Sequence, residues 1–228
     1  LNSQNYLVVG GSSGIGKAIL TELVHSGLKS INFSRKHPEI DNIDHYTLDI
    51  VTDELPELTQ PISSLIYCPG SINLKPFKSL KKEDFLKDLE INFFGAVKVI
   101  QKYLPNLILS GNGSIVLFST IAVEMGMPFH SSIASSKGAI EGLVKSLAAE
   151  FAPKIRVNAI APSLTDTPLA TKLLDSDAKR IASQDRHPLK RIGNPEDIAK
   201  MAVFLTSDSA QFMTGQIIKM DGGMSSVR

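Results

Sequence analysis

The sequence predicts an α/β protein, a doubly wound three-layer sandwich on a seven-stranded, mostly parallel sheet. Short apolar runs that suit strands buried on both faces alternate with longer stretches whose apolar residues recur at helical spacing. The first run, Tyr6–Val9, opens directly into a glycine-rich turn (Gly10, Gly11, Gly14, Gly16) and then a helical pattern. At 228 residues, 43% of them hydrophobic, the chain can bury a full core and suits one domain over 1–228.

Charge and cysteine content narrow the setting. Lys+Arg total 24 against 23 Asp+Glu, with no basic block, so nothing marks the chain for nucleic acid or an anionic membrane. No apolar stretch approaches the roughly 20 residues that span a bilayer. Cys68 is the single cysteine, which excludes an intrachain disulfide, and no charged-then-apolar leader precedes the first strand. The expected setting is the cytoplasm and the expected partner a small-molecule substrate, without a metal.

The glycine turn is the first functional signal. Its backbone must swing sharply, let main-chain amides approach a phosphate and let the next helix pack closely on the strand, and small residues permit all three. Ser12 or Ser13 can cap that helix, whose N-terminus offers free N–H groups and partial positive charge to a pyrophosphate. Val9–Gly16, VGGSSGIG, resembles the TGxxxGIG opening of the short-chain dehydrogenase/reductase family, with Val9 in place of threonine. The resemblance extends over nearly the whole chain. It implies a Rossmann-type fold in which Gly10, Ser12, Ser13, Gly14, Ile15 and Gly16 hold a dinucleotide.

The first helix, about Gly14–Ser26, is closed by Gly27, and Lys29–Ser34 is the second strand. An acidic residue at its end would bind ribose hydroxyls and repel a 2′-phosphate; a basic one just beyond accommodates that phosphate. Here stand Ser34, Arg35 and Lys36. In the family this pattern goes with NADP, so NADP(H) is expected over NAD(H), the alternative being a solvated loop. The stretch to Tyr46 is too short and broken for the usual crossover helix, and Tyr46–Ile50 is expected as the third strand. By resemblance Asp49 and Ile50 lie beside the adenine, although Asp49 also suits a strand-end turn.

Ser64–Cys68 is the fourth strand, and Tyr67-Cys68-Pro69-Gly70 follows where the family carries Asn-Asn-Ala-Gly, leaving only Gly70. Tyr67 is expected at the strand end, facing the cleft. Lys82–Leu104, with Phe85, Leu89, Phe93, Val97 and Ile100 at helical spacing, is expected as one long helix. Within it Asn92 matches an asparagine that helps hold a relay water in relatives, and a structural role is the alternative. Ser114–Ser119 is the fifth strand, and Ser131–Glu150 forms the next helix.

In the family, a serine after the fifth strand orients the substrate carbonyl, a tyrosine moves the proton, and a lysine four positions later stabilises the tyrosinate and holds the ribose. Residues four apart share a helix face, which lets the ammonium lower the phenol pKa. Aligned on Lys137 in IASSKGA, Thr120 takes the serine position and Ile133 the tyrosine position. An isoleucine has no titratable proton, and the missing general acid is normally worth about 10² to 10⁴ in rate. Thr120, His130, Ser132 or a water held by Asn92 and Lys137 are the alternative donors.

Lys154–Ile160 is the sixth strand, followed by Ala161-Pro162-Ser163, with Ser163 where relatives have glycine. Pro162, Thr165 and Thr167 are expected beside the nicotinamide or the phosphates. Residues 163–188 form a substrate lid with a helical pattern over Leu169–Ala182; Leu164, Leu169, Leu173 and Leu174 suit an apolar substrate or the lid's own core. Asn194-Pro195-Glu196-Asp197 starts a well-capped helix, and Gly215–Met220 is the closing strand. The resemblance implies a homo-oligomer, dimer or tetramer. Function is expected to be NADP(H)-dependent hydride transfer between nicotinamide and a carbonyl or alcohol, with an atypical proton donor; the alternative is an inactive NADP(H)-binding sensor, scaffold or partner subunit.

Overall fold

All five residues of the first strand, Asn5–Val9 (β1), are buried, Leu7 and Val9 against one helical layer and Tyr6 and Val8 against the other. Side chains alternate across a strand, so a strand without a polar face belongs in the middle of a sandwich. The computed structural model describes residues 4–227; residues 1–3 and 228 of the expected domain lie outside the described residues. The chain continues through α1 (Gly14–His25), β2 (Lys29–Ser34), β3 (Ile43–Thr47), β4 (Ser64–Tyr67) and α2 (Lys82–Leu89). A π-turn (Glu90–Phe94), α3 (Gly95–Leu109), β5 (Gly113–Phe118), the short α4 (Ala122–Met125) and α5 (Ser131–Phe151) follow. The last elements are β6 (Ile155–Pro162), α6 (Asp177–Asp185), α7 (Pro195–Thr206) and β7 (Ile217–Met220).

The seven strands form one sheet in the order β3-β2-β1-β4-β5-β6-β7, every neighbouring pair parallel. The chain winds outward both ways from β1, which leaves a crevice at the C-terminal ends of β1 and β4, the place where such sheets bind ligands. α3 and α5 cover one face through Val99, Tyr103, Leu107, Ile140 and Val144. α1 and α7 cover the other through Ile19, Leu23, Ile198 and Leu205. Among the described residues no helix is long and apolar enough to cross a membrane.

Capping follows the sequence. Gly27, at φ +69°, ends α1 with paired bonds from its own N–H to Val24 (2.9 Å) and from Leu28 to Leu23 (3.0 Å), a Schellman closure. Asn194 accepts from the Glu196 N–H at 3.2 Å, and Pro195 occupies the first position of α7.

Three expectations are corrected. The third strand lies at Ile43–Thr47, not Tyr46–Ile50: an edge strand lacks the double-sided burial that marks the five inner strands, and Leu48 and Ile50 fill the core from the loop beyond it. The single helix over Lys82–Leu104 is two helices joined by the π-turn, in which the Gly95 N–H bonds the Glu90 carbonyl five residues back. It also runs through Pro105 to Leu109, anchored where the Asn106 side chain bonds the Leu58 and Gln60 carbonyls. In the segment expected as a lid, Ser176 caps a fresh helix by accepting from Lys179, so Leu169–Ala182 divides into a 3-10 turn (Pro168–Leu173) and α6.

Candidate active site

Two adjoining cavities open at the C-terminal ends of the strands. One, about 710 Å³, is lined by Gly10, Ser12, Ser13, Gly14, Ile15 and Gly16, then by Ser34 and Arg35 at the end of β2, Asp49 and Ile50 after β3, and Gly70 after β4. The other, about 700 Å³, is lined by Thr120, Ile133, Lys137, Pro162, Thr165 and the lid. Ile15, Cys68, Gly70, Thr167 and Leu169 belong to both walls, so the two cavities lie side by side.

The first cavity fits a dinucleotide. A Cβ on Gly16 would collide with the Gly10 carbonyl, so the first turn of α1 sits directly against the strand-end backbone. Ser13, the N-cap, spends no side-chain hydrogen bond on the helix, and the first turn carries no acidic residue, leaving the N-terminal N–H groups and positive field for a phosphate. Arg35 is exposed and makes no ion pair among the described residues. Ser34 is turned inward: its hydroxyl donates to the Lys36 carbonyl (2.9 Å) and accepts from Asn32 (2.9 Å). Asp49 forms a turn, accepting from the Val51 N–H at 2.9 Å on the cavity rim.

Lys137 lines the second cavity beside Gly70, which both cavities share. Only 8% exposed, its Nζ donates to the Phe118 carbonyl at 2.8 Å, and burial pulls its pKa down to about 8. Burial pushes the nearby Cys68 thiol up to about 12, so that thiol stays protonated at neutral pH. Asn92 is fixed by the π-turn. Its amide nitrogen donates to Ser71 (2.9 Å) and to the Asp88 carbonyl (2.8 Å), while its buried Oδ1 has no hydrogen-bond partner among the described residues. A Cβ placed on Gly70 would lie 3.3 Å from that Oδ1 and 3.7 Å from Lys137 Nζ, so both polar groups flank one point beside Gly70.

The alternative donors separate by geometry. Thr120 lines the second cavity and its oxygen accepts from the Ala122 N–H at 3.3 Å, which leaves its own proton free to turn. His130 lines the same cavity and is half-buried, with Nδ1 donating to the Pro128 carbonyl at 2.7 Å. Ser132 is turned away, donating to the buried Asp88 carboxylate at 2.5 Å. Tyr67 does not face the cleft: it is 2% exposed and its hydroxyl donates to the Ile91 carbonyl at 2.6 Å, bracing the π-turn. Of the lid leucines, Leu164, Leu169 and Leu173 line the cavity and Leu174 is lid core.

The structure adds a pair that sequence reasoning missed. Ser163 Oγ lies 2.9 Å from Nε2 of His187, a residue 1% exposed, and both line the second cavity. A histidine next to Pro188 at the end of the lid was the available signal.

A family model described as enoyl-(acyl carrier protein) reductase matches residues 22–225. The chain is 32% identical over 238 residues to the 3-oxoacyl-(acyl-carrier-protein) reductase FabG of Thermotoga maritima, covering 96% of each chain. It superimposes with TM-score 0.89 on ligand-free aldohexose dehydrogenase of Thermoplasma acidophilum at 30% identity, covering 98% of this chain and 94% of that one. ElxO, solved with NADP bound, gives TM-score 0.87 at 27% identity, covering 98% and 99%. Matched at this length in sequence and in fold, the chain belongs to the short-chain dehydrogenase/reductase family.

Proposed function

We propose that the chain is an NADP(H)-dependent oxidoreductase acting on a carbonyl or alcohol, with a proton donor other than the phenol usual in its family. The observation that carries this reading is Lys137, a buried cation in the wall of one cavity beside Gly70, which also lines the glycine-turn cleft. Burying it costs stability, and a site that retains such a cost is a functional candidate. When bound, NADP(H) supplies or accepts a hydride. The glycine turn with Ser12 and Ser13 would hold the diphosphate, Arg35 the 2′-phosphate, Asp49 and Ile50 the adenine side, and Lys137 the ribose. Thr120 would orient the substrate oxygen. Pro162, Thr165 and Thr167 would bound the nicotinamide end, and Asn92 would hold a water toward Lys137. We assign one domain to the chain, with residues 163–188 as its lid, and by family likeness a cytoplasmic homo-oligomer, dimer or tetramer.

A second reading, an inactive NADP(H)-binding sensor, scaffold or partner subunit, is favoured by Ile133, which puts a hydrocarbon in the cavity wall one helical turn before Lys137. One experiment separates the two. NADPH and NADH are titrated by fluorescence, and a panel of ketones, alcohols and quinones is then followed by coenzyme absorbance. Binding with consumption supports the oxidoreductase, binding without consumption supports the second reading, and no binding sinks both.

A further inference from the structure

We infer that Ser163 and His187 form a proton relay in the substrate cavity, through which the hydroxyl proton of a bound alcohol passes to the His187 imidazole. This rests on the oxidoreductase reading above and supplies the proton carrier that Ile133 cannot. His187 Nδ1 lies 2.7 Å from the Ser183 carbonyl oxygen, and a carbonyl can only accept. In the neutral ring, Nδ1 therefore carries the proton and Nε2 is bare. Nε2 must then accept from the Ser163 hydroxyl at 2.9 Å, which turns that proton away from the cavity and leaves oxygen lone pairs facing the substrate space.

The arrangement has the three parts of an oriented base: a hydroxyl at the reaction space, an imidazole within hydrogen-bond reach, and a third group that fixes the tautomer. The Ser163 N–H bonds the Met220 carbonyl at 3.2 Å, and the preceding Pro162 carbonyl accepts from Ile121 at 3.3 Å. The first ties the serine to β7 and the second ties its neighbour to the loop that carries Thr120, and the hydroxyl and that threonine line the same cavity. Lys137 and the lid cations Lys172, Lys179 and Arg186 also line that cavity.

The proton balance closes with the coenzyme class already proposed. As the carbinol hydrogen leaves with its electron pair to oxidised nicotinamide coenzyme, the alcohol O–H proton moves to Ser163 Oγ. The serine's own proton moves to His187 Nε2. The products are a carbonyl compound, an unchanged serine and an imidazolium still held through Nδ1 by Ser183. Carbonyl reduction runs the same path backwards, with the imidazolium as acid.

The test uses the full chain and whichever substrate the panel yields. Ser163→Ala removes the bridge. His187→Gln keeps an acceptor for the serine but takes up no proton. Both variants should lower kcat by about 10² or more, the usual worth of general acid–base catalysis, with NADPH affinity unchanged, and Ser163→Thr should restore most of the rate. Independently of turnover, nitrogen NMR of protein labelled at histidine should show His187 in the Nδ1–H form, with its Nε2 signal moving in Ser163→Ala. A loss below tenfold in both variants, a loss confined to KM, or an Nε2–H tautomer overturns the relay. Covalent labelling of Ser163 by a fluorophosphonate would mark a nucleophile and overturn it too. A wild-type protein that binds NADPH and consumes none overturns the oxidoreductase reading and the relay with it, whereas turnover indifferent to the variants overturns the relay alone.

Discussion

Replacing Lys137 by methionine should make the coenzyme-free protein more stable at neutral pH and less stable at high pH. At pH 7 the lysine is protonated in both folded and unfolded chains. Lowering its pKa from 10.5 to about 8 costs the fold about 3 kcal/mol. Methionine removes that cost but leaves the Phe118 carbonyl, now bonded at 2.8 Å, without its donor, a loss of about 1–3 kcal/mol. The net gain is about 1 kcal/mol, or roughly 2–4 °C in Tm for a chain of this size. The sign changes with pH. Between about 8 and 10.5 the unfolded lysine still binds a proton that the folded one has released, so wild-type stability climbs relative to the variant, and above 10.5 only the lost hydrogen bond remains. Thermal melts of both proteins from pH 7 to pH 11 should cross within that window, because subtracting one from the other cancels every other titrating group. A difference in Tm that stays flat across the range would refute the buried-cation account. Stabilisation by added NADPH should fall in the variant at every pH.

Three further outcomes follow from the site. Arg35→Ala should weaken NADPH binding by about 10- to 100-fold, the worth of a charge-assisted hydrogen bond, while leaving NADH affinity within about twofold by fluorescence titration. Gly16→Ala, whose methyl would press on the Gly10 carbonyl, should cost about 3 kcal/mol in urea unfolding and abolish coenzyme protection against melting. Ile133→Tyr places a phenol in the cavity wall beside Lys137, and NADPH consumption with simple ketones should rise at least tenfold; no rise counts against a site organised for hydride transfer.

The central strands were legible because burial on both faces leaves a short continuous apolar run, as in Tyr6–Val9 and Ile115–Phe118, bounded by turn residues that leave no room for a helix. The glycine turn was legible for a similar reason, since backbone contact at Gly16 excludes any side chain. Ile133 could be placed because Lys137 sets the helical register. The edge strand was displaced because the apolar residues that drew the expectation, Leu48 and Ile50, pack from a loop. Asn92 was placed in a helix, but its wide turn leaves no trace in apolar spacing. The Ser163–His187 pair was illegible because it joins residues 24 apart through the folding back of the lid, a contact that local patterning does not encode.

The π-turn at Glu90–Phe94 is also a phase shifter. One residue of an α-helix turns the chain by about 100°, and one extra residue in a turn offsets all that follows by that angle. The stretch before it presents Asp88 to Ser132 on α5, and the stretch after it presents Val99 and Tyr103 to the sheet. No straight helix of this sequence would satisfy both partners at once. Deleting a single residue there would close the wide turn into an ordinary one and let a single α-helix serve both partners.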